Sequence, residues 1–268
     1  MSDAAPALAR DVRQLIIEQS YRAHVGHIGS ALSVADILAA LFAGILRGEP
    51  GDGERDRFIL SKGHAALGLY AALQATGRLT HDELASFCGE GTPLGVHPEH
   101  VLDGVDFSTG SLGHGLSIGA GAALAARMQG SARRTYVLLS DAECNEGSVW
   151  EAAMFAAHHR LGNLRAVVDA NGQQALGNTR DVIDLEPLGE RFGAFGWSVL
   201  EVDGHDTHAL SEALTTASDD GSPSVIVART TFGRGVSYME SQLQWHYWPM
   251  DEKQYAQALA DLAVGAGA

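Results

Sequence analysis

Short apolar runs recur along the chain, separated by longer stretches in which apolar residues fall at helical spacing. Each run is short enough for a strand. Apolar and β-branched residues fill most of each run without regular alternation, which indicates strands buried on both faces. The predicted strands cover residues 57–61, 135–140, 164–170, 197–202 and 224–229.

The stretches between the runs predict helices. In the first of them, residues 6–24, Val12 and Ile16 are one helical turn apart and share an apolar face. Thr80 with Glu83 three positions later has the form of a capping box, which begins a short helix. The other predicted elements are helices at 33–46, 65–76, 80–87, 115–128, 146–160 and 206–218, a loop at 88–110, and a loop with a short helix at 172–195.

Strand-like and helix-like segments alternate over most of the chain. This order predicts an α/β fold in three layers, with a parallel sheet and helices on both of its faces. The sequence contains no internal repeat and no low-complexity linker. We therefore expect residues 1–268 to form a single domain, which is about the size of one large α/β domain.

Two polar residues follow neighbouring predicted strands. Asp141 comes directly after 135–140, and Asn171 comes directly after 164–170. The carboxyl ends of parallel strands lie at one edge of a sheet, so both side chains should point into one crevice. Carboxylate and amide oxygens suit Mg²⁺, which takes few protein oxygens together with phosphate oxygens, and a helix N-terminus beside them can hold a diphosphate. The pattern predicts a magnesium–diphosphate site.

Composition and charge narrow the possible partners. The formal net charge is −15, and the only basic cluster is the pair Arg133 and Arg134, so we expect no nucleic-acid partner. The overall field repels anions, so a phosphate site needs a local cation or aimed backbone N–H groups. The two cysteines, Cys88 and Cys144, provide neither a disulfide framework nor a zinc site, which favours a reducing cytoplasm. No signal peptide and no membrane span are predicted.

Four histidines lie beside glycine or proline in the first half of the chain. They are His27 in GHIG, His64 in KGHA, His97 in GVHPE and His114 in LGHG. A single histidine is most often a satisfied core or surface residue, but glycine neighbours allow a ligand to approach closely. The imidazoles could bind sugar hydroxyls and transfer protons. Zinc binding is the competing hypothesis, and it lacks the usual ligand spacing.

Three further patterns have both a structural and a functional interpretation. Glu146 and Glu151 occur in a mostly apolar helix, so either they form a solvated face or they are buried carboxylates with partners. The segment GSLGHG, residues 110–115, lacks the spacing of a dinucleotide loop. The segment WHYW, residues 245–248, is either a flap over the core or an aromatic patch that packs on a partner chain.

Several motifs, in this order along the chain, resemble those of the transketolase family. GHIGSALS is similar to the family's GHPGxxLS segment, LSKGHAALGLY to its S-x-GH-A segment, and GVHPE to its GHPE. STGSLGHGLSIGAG resembles the TTGxLGQG loop, while SDAECNEG with VVDAN resembles the thiamine-diphosphate signature that begins GDGxxxEG. The resemblance covers nearly the whole chain. It implies the diphosphate-binding domain of the thiamine-diphosphate-binding fold, with thiamine diphosphate and Mg²⁺ (or Ca²⁺ or Mn²⁺) as cofactors.

The resemblance also implies roles for individual residues. Asp141 and Asn171 match the metal ligands, and Gln173 adds its backbone carbonyl. Glu146 and Glu151 match acidic residues at a contact between two subunits that links their active sites. The positions matched as catalytic are His27, His64, His97, His246 and Glu146. The positions matched as cofactor-binding are His64, Ser111, Leu112, Gly113, Asp141, Ala142, Glu143, Asn171 and His246.

The chain departs from the family pattern at several of these positions. Ser140 and Ala142 replace the two glycines of the signature, and an alanine would crowd that turn if its φ were positive. His114 replaces a glutamine, Ser111 a proline and Tyr247 a glycine. These changes suggest a specialised branch with an altered acceptor site.

The implied reaction moves a two-carbon ketol unit from a ketose, or its phosphate, to an aldose acceptor. In the family a second domain supplies a glutamate for the cofactor and basic residues for the sugar phosphate, and this chain ends at Ala268. We therefore expect a separate C-terminal subunit in an α2β2 assembly. The alternatives are a deoxyxylulose-phosphate-synthase-like subunit, a subunit like the first component of 2-oxo-acid dehydrogenases, or a non-catalytic regulatory subunit.

Overall fold

The computed structural model describes residues 4–49, 51–216 and 220–265, and its main sheet has five strands that are all parallel to their neighbours. The order across this sheet is β1-β2-β3-β7-β6, while β4 and β5 form a separate antiparallel hairpin. The strands are β1 (Arg57–Leu60), β2 (Thr135–Ser140), β3 (Leu164–Ala170), β4 (Gln173–Gln174), β5 (Gly177–Asn178), β6 (Ser198–Asp203) and β7 (Ser224–Arg229).

Helices connect the strands and cover the sheet. They are α1 (Ala4–Ala23), α2 (Ile28–Ser33), α3 (Ala35–Ala40), α4 (Ala66–Ala75), α5 (His81–Leu84), α6 (His114–Met128), α7 (Gly147–His158), α8 (Thr179–Val182), α9 (Leu188–Ala194), α10 (Thr207–Thr215) and α11 (Glu252–Gly265). A π-helix covers Leu41–Ile45, and short 3-10 helices cover Gly63–Ala65, Ala142–Asn145 and Leu243–His246. Within the described ranges, no helix combines the length and apolar character needed to cross a bilayer.

The sheet separates two apolar clusters, which confirms the three-layer α/β fold. Alternate residues of each central strand point to opposite clusters, as Leu138 and Leu139 of β2 do. Helices α1, α3, α4 and α10 pack on one face, and α6, α7 and α9 pack on the other. Every residue of β2 and β3 is buried, because a central strand of a parallel sheet is covered on both faces.

Most predicted elements agree with the structure to within two residues. β2, β3 and β7 have the predicted bounds, and Thr80 forms the predicted capping box with Glu83. The helix predicted at 206–218 ends at Thr215, and its last two positions lie outside the described residues. The C-terminal helix α11 was missing from the predicted elements.

The helix predicted at 33–46 is wrong in its beginning and its continuity. The helical segment begins at Ile28 and is interrupted at Val34, and its last part is a π-helix that contains Gly44 at a φ of 136°. Ser33, where the predicted helix began, is instead the last residue of α2. Its hydroxyl lies 3.0 Å from the Ser30 carbonyl oxygen and 2.7 Å from a carboxylate oxygen of Asp169 on β3, a partner far away in the sequence.

The functional residues gather where β1, β2, β3 and β7 end, which we call the carboxyl edge. Along the chain the strands are added in one direction up to β6 and then return to β7, which inserts between β3 and β6. In open α/β sheets, ligands bind outside the carboxyl ends of the strands where the order reverses. The neighbouring ends of β3 and β7 form this reversal.

Candidate active site at the carboxyl edge

Asp141 and Asn171 come together at the carboxyl edge, as the predicted topology required. Ser140 pairs with Asp169 across β2 and β3, so the residues that follow lie side by side. One Asp141 carboxylate oxygen accepts the Gly172 N–H at 2.8 Å, in the turn after Asn171. The two turns are therefore held together by the side chain proposed to bind a metal.

The Asp141 carboxylate lies in a place that disfavours its negative charge. Its other oxygen accepts the Ala142 N–H at 2.8 Å. Burial and, after it, the Asp169 carboxylate raise the pKa of Asp141 to about 7. A cation beside this carboxylate would oppose both effects, because it favours the ionised form.

Asn171 and Gln173 present oxygen atoms in the same turn. The Asn171 amide oxygen accepts the Gln173 N–H at 2.9 Å, and its nitrogen donates to Asp169 at 3.0 Å. The buried side-chain oxygen of Gln173 has no hydrogen-bond partner. No group of three or more His, Cys, Asp or Glu side chains within the described ranges could hold a metal. A metal here would depend on one carboxylate, amide and backbone oxygens, and phosphate.

Ala142 has room in the signature turn. It begins the 3-10 helix Ala142–Asn145, and it is absent from the residues of positive φ found in the described part of the chain. The crowding that a left-handed alanine would cause therefore does not occur. The Ala142 N–H, matched to a diphosphate donor, is bonded to Asp141 in this structure.

Asp169 is a functional candidate that the sequence analysis missed. This residue of β3 is completely buried, and so is Lys62, whose ammonium pairs with its carboxylate. Ser33 donates to the same carboxylate at 2.7 Å, and Thr230 donates to its second oxygen. The signal in the sequence was an aspartate inside an apolar strand, since a buried charge needs a partner.

Glu143 connects three segments around the predicted cofactor loop. Its carboxylate accepts the Gly113 N–H at 2.7 Å, the Ser140 N–H at 3.3 Å and the Ser61 hydroxyl. Burial raises the pKa of Glu143. The Gly113 N–H, matched to cofactor binding, therefore already donates to protein, while Ser111 is exposed and Leu112 is half-buried in the same loop.

His27, His64 and His246 form a cluster beside this loop. The rings of His27 and His64 lie 5.5 Å apart between centroids, and the backbone N–H of His27 donates to the backbone carbonyl of His246 at 3.1 Å. The His246 ring stacks on Phe232 at 4.3 Å. Nδ1 of His27 and Nε2 of His246 are buried without hydrogen-bond partners. Two unpaired imidazole nitrogens therefore mark a place for a polar ligand.

Burial keeps this cluster neutral near pH 7. Burial and, after it, the Lys62 ammonium lower the pKa of His246 from its ordinary 6.5 to about 4. Burial also lowers the pKa of His64 well below its ordinary value, with Lys62 the next cause, and it lowers the pKa of His27. A neutral imidazole has one nitrogen that donates and one that accepts, which is what exchange of protons with hydroxyl groups requires.

The two other singled-out histidines are placed differently. His97 is exposed and its ring packs on Gly110, where an added Cβ would lie 3.4 Å from the ring. His97 is close enough for its charge to lower the pKa values of His27 and His64. His114 is exposed as the first residue of α6. His97 thus lies at the margin of the cluster.

Glu146 and Glu151 are exposed in the single chain, as the solvated-face interpretation predicted. Helix α7 buries one face, with Val149 and Ala153 in the core. The helix is mostly apolar in sequence because apolar residues occupy its outer face as well. Phe155 there is 41% exposed.

The aromatic segment near the C-terminus, residues 245–248, is buried in its first half and exposed in its second. Trp245 and His246 are buried, as a flap over the core would be, whereas Tyr247 is 55% exposed and Trp248 is 60% exposed. The Tyr247 hydroxyl donates to the Ala175 carbonyl at 2.7 Å, which attaches the segment to the β4–β5 hairpin. The exposed half lies next to the histidine cluster.

A separate cavity of about 940 Å³ lies between α1, α11 and the loop after β7. Arg13, Asp36 and His205 line it, and the Asp36 carboxylate pairs with both of the others. None of the predicted site residues lines this cavity. The candidate site is therefore the polar carboxyl edge and not this cavity.

Comparisons with known proteins agree on one family. Residues 5–265 match the family described as "Transketolase, thiamine diphosphate binding domain". The chain is 39% identical over 256 residues to an apulose-4-phosphate transketolase subunit of Phocaeicola vulgatus, covering 94% of this chain and 91% of that protein. It is also 39% identical over 259 residues to the 6-deoxy-6-sulfo-D-fructose transketolase subunit SqwG of a Clostridium species, covering 95% and 94%.

Solved structures give the same result. A transketolase from Campylobacter jejuni superposes with a TM-score of 0.90 at 28% identity, covering 98% of this chain and 43% of that one. A transketolase variant from Pichia stipitis superposes with a TM-score of 0.90 at 32% identity, covering 97% and 41%. The chain spans about two fifths of the length of these solved proteins.

Proposed function

Because the chain belongs to the transketolase family and contains its thiamine-diphosphate-binding domain, we propose that its carboxyl edge is the diphosphate-binding half of a transketolase active site. It is an N-terminal transketolase subunit, as its motifs predicted. The reaction moves a two-carbon ketol unit from a ketose to an aldose. The observation that carries the proposal is the pair of buried, unpaired nitrogens on His27 and His246. The Lys62 ammonium lies near both this cluster and Asp141, because its charge acts to lower the pKa of His246 and of Asp141.

The residues at the edge fit a magnesium–diphosphate group. Asp141 would bind Mg²⁺ with a carboxylate oxygen, Asn171 with its amide oxygen and Gln173 with its backbone carbonyl. If Asp141 bonds to the cation, the Ala142 N–H becomes available to a diphosphate oxygen. When bound, thiamine diphosphate supplies the electron sink that allows a carbon–carbon bond next to a carbonyl to break.

The chain's own side chains have positioning and proton-transfer roles in this proposal. The unpaired nitrogens of His27 and His246 would bond to the cofactor and the sugar hydroxyls, and His64 would contact the cofactor. Because the imidazoles are neutral, each has a nitrogen that can accept a proton from a donor hydroxyl. The exposed His97 contacts the substrate at the entrance. We assign Ser111, Leu112 and Gly113 to the loop that lines the cofactor, and Glu143, which accepts the Gly113 N–H, to the same cofactor-binding site.

Completion of the site requires a second chain in this proposal. Two relatives that match this chain over most of their own length are named transketolase subunits. We infer a C-terminal partner subunit and an α2β2 assembly, with Glu146 and Glu151 at the subunit contact that links two active sites. Their exposure in the single chain leaves them available for that contact. The sugars or sugar phosphates it acts on, a cytoplasmic location and action as one domain over 1–268 also belong to the proposal.

The test uses the chain co-purified with the C-terminal subunit. Turnover of a ketose phosphate with an aldose, and thiamine-diphosphate affinity in the presence of Mg²⁺, are measured for the wild type, for Asp141→Ala and for the exposed-site control Asp103→Ala. We expect Asp141→Ala to lose both properties and Asp103→Ala to keep both. Unchanged turnover and affinity in Asp141→Ala would mean a non-catalytic subunit. Decarboxylation of pyruvate without ketose cleavage would instead indicate one of the two related thiamine-diphosphate enzymes.

A further inference from the structure

Asp169 occupies a central place at the carboxyl edge although no metal or sugar role was assigned to it. Its side chain is fully buried, and its donors come from four separate parts of the fold. They are Ser33 at the end of α2, Lys62 after β1, Asn171 after β3 and Thr230 after β7. One carboxylate therefore fixes the relative positions of three strand ends and one helix end.

The bond to Asn171 has a chemical consequence. An amide side chain has an oxygen on one arm and a nitrogen on the other, and only the oxygen can bind a hard cation. The Asp169 carboxylate oxygen that pairs with the Lys62 ammonium also accepts a hydrogen bond from Asn171 at 3.0 Å, and only the Nδ2 arm of the amide can donate it. The Gln173 N–H bonds to the opposite arm at 2.9 Å, which is consistent only with oxygen there.

We propose that Asp169 is a positioning residue that sets the orientation of the Asn171 amide and so presents its oxygen, not its nitrogen, to the divalent cation. This inference rests on the proposed function. Partners that orient metal ligands commonly contribute about tenfold or more to metal affinity, although they never touch the metal. The Lys62 ammonium pairs with the Asp169 carboxylate in the interior, where a buried carboxylate without a partner would be costly.

The experiment compares two double variants that differ only in whether residue 169 can accept a hydrogen bond. Both carry Lys62→Met, so neither leaves a buried charge without its partner. Lys62→Met/Asp169→Asn keeps an acceptor oxygen for the Asn171 amide, whereas Lys62→Met/Asp169→Leu removes it. Mn²⁺ affinity is measured on the complex with the C-terminal subunit and thiamine diphosphate, by electron paramagnetic resonance of free Mn²⁺. Circular dichroism confirms that each complex is folded.

We expect the leucine variant to bind Mn²⁺ at least about tenfold more weakly than the asparagine variant. Adding Asn171→Asp to the leucine variant should restore affinity, because both arms of a carboxylate are oxygens. Equal affinity in the two double variants, whether high or low, would overturn the inference. If the leucine variant does not fold, Lys62→Met/Asp169→Ala removes the same acceptor with a smaller side chain. Absence of Mn²⁺ binding by the wild-type complex would instead contradict the proposed function.

Discussion

His246 should make the stability of the chain depend on pH between its folded and unfolded pKa values. The folded pKa is about 4, against 6.5 for an ordinary histidine. As the pH falls below 6.5 the unfolded chain takes up a proton that the folded chain does not, so acid favours unfolding. The stability that the neutral form provides is therefore complete above the unfolded pKa and is lost as pH falls towards the folded value. Between about pH 8 and about pH 5 the loss is about 2 kcal/mol.

Replacing this side chain by one that does not titrate removes the effect. We expect His246→Gln to lower stability near pH 8, since the ring stacks on Phe232, but to lose about 2 kcal/mol less than the wild type on acidification. The exposed control His158→Gln should follow the wild-type pH dependence. Urea unfolding followed by circular dichroism at several pH values measures both. Parallel pH profiles for the wild type and His246→Gln would refute the reasoning.

Three further substitutions test the contacts described above. Gly113→Ala should destabilise the chain by about 2 kcal/mol or more in urea unfolding, because φ is 86° and the added Cβ would lie 2.6 Å from the Glu146 side chain. Burial raises the pKa of Asp36, but the hydrogen bond from His205 and then the charge of Arg13 outweigh it, so the net pKa is lowered. The stability that this ionised carboxylate adds is lost as pH falls below about 3.8, so the difference between the wild type and Asp36→Asn should shrink there. Tyr247→Phe should cost about 1 kcal/mol in thermal unfolding, since it removes one hydrogen bond.

The strands were predictable because burial on both faces leaves a continuous apolar run with polar ends. β2 and β3 therefore have the predicted bounds, and the topology correctly placed Asp141 beside Asn171. The beginning of the helical segment at Ile28 and its interruption at Val34 were not predicted. Ser33, between these two points, bonds to the carboxylate of Asp169, and a local pattern does not report a partner so far away in the sequence.

Part of the site could not be predicted from sequence patterns either. Lys62 and Asp169 are 107 positions apart, and each belongs to an apolar context in which a charge has no local partner. The burial of Glu143 and the exposure of Glu146 could not be predicted either, since both occur in one acidic stretch before α7. The path of the backbone through the 3-10 helix Ala142–Asn145 determines which of the two carboxylates is buried. The motif resemblance identified the family, whereas the distribution of charge inside the site required coordinates.

The aromatic segment at residues 245–248 gives the chain a tryptophan fluorescence signal that a quencher can reach. Of the four tryptophans, Trp197 and Trp245 are buried and Trp150 is half-buried, whereas Trp248 is 60% exposed. A small quencher in water reaches an exposed indole first, so collisional quenching of the fluorescence reports mainly on Trp248. Trp248 lies two positions after His246, whose Nε2 is unpaired. A partner that covers Trp248 would shield its indole from the quencher. The tryptophan fluorescence of the unlabelled chain can therefore report assembly.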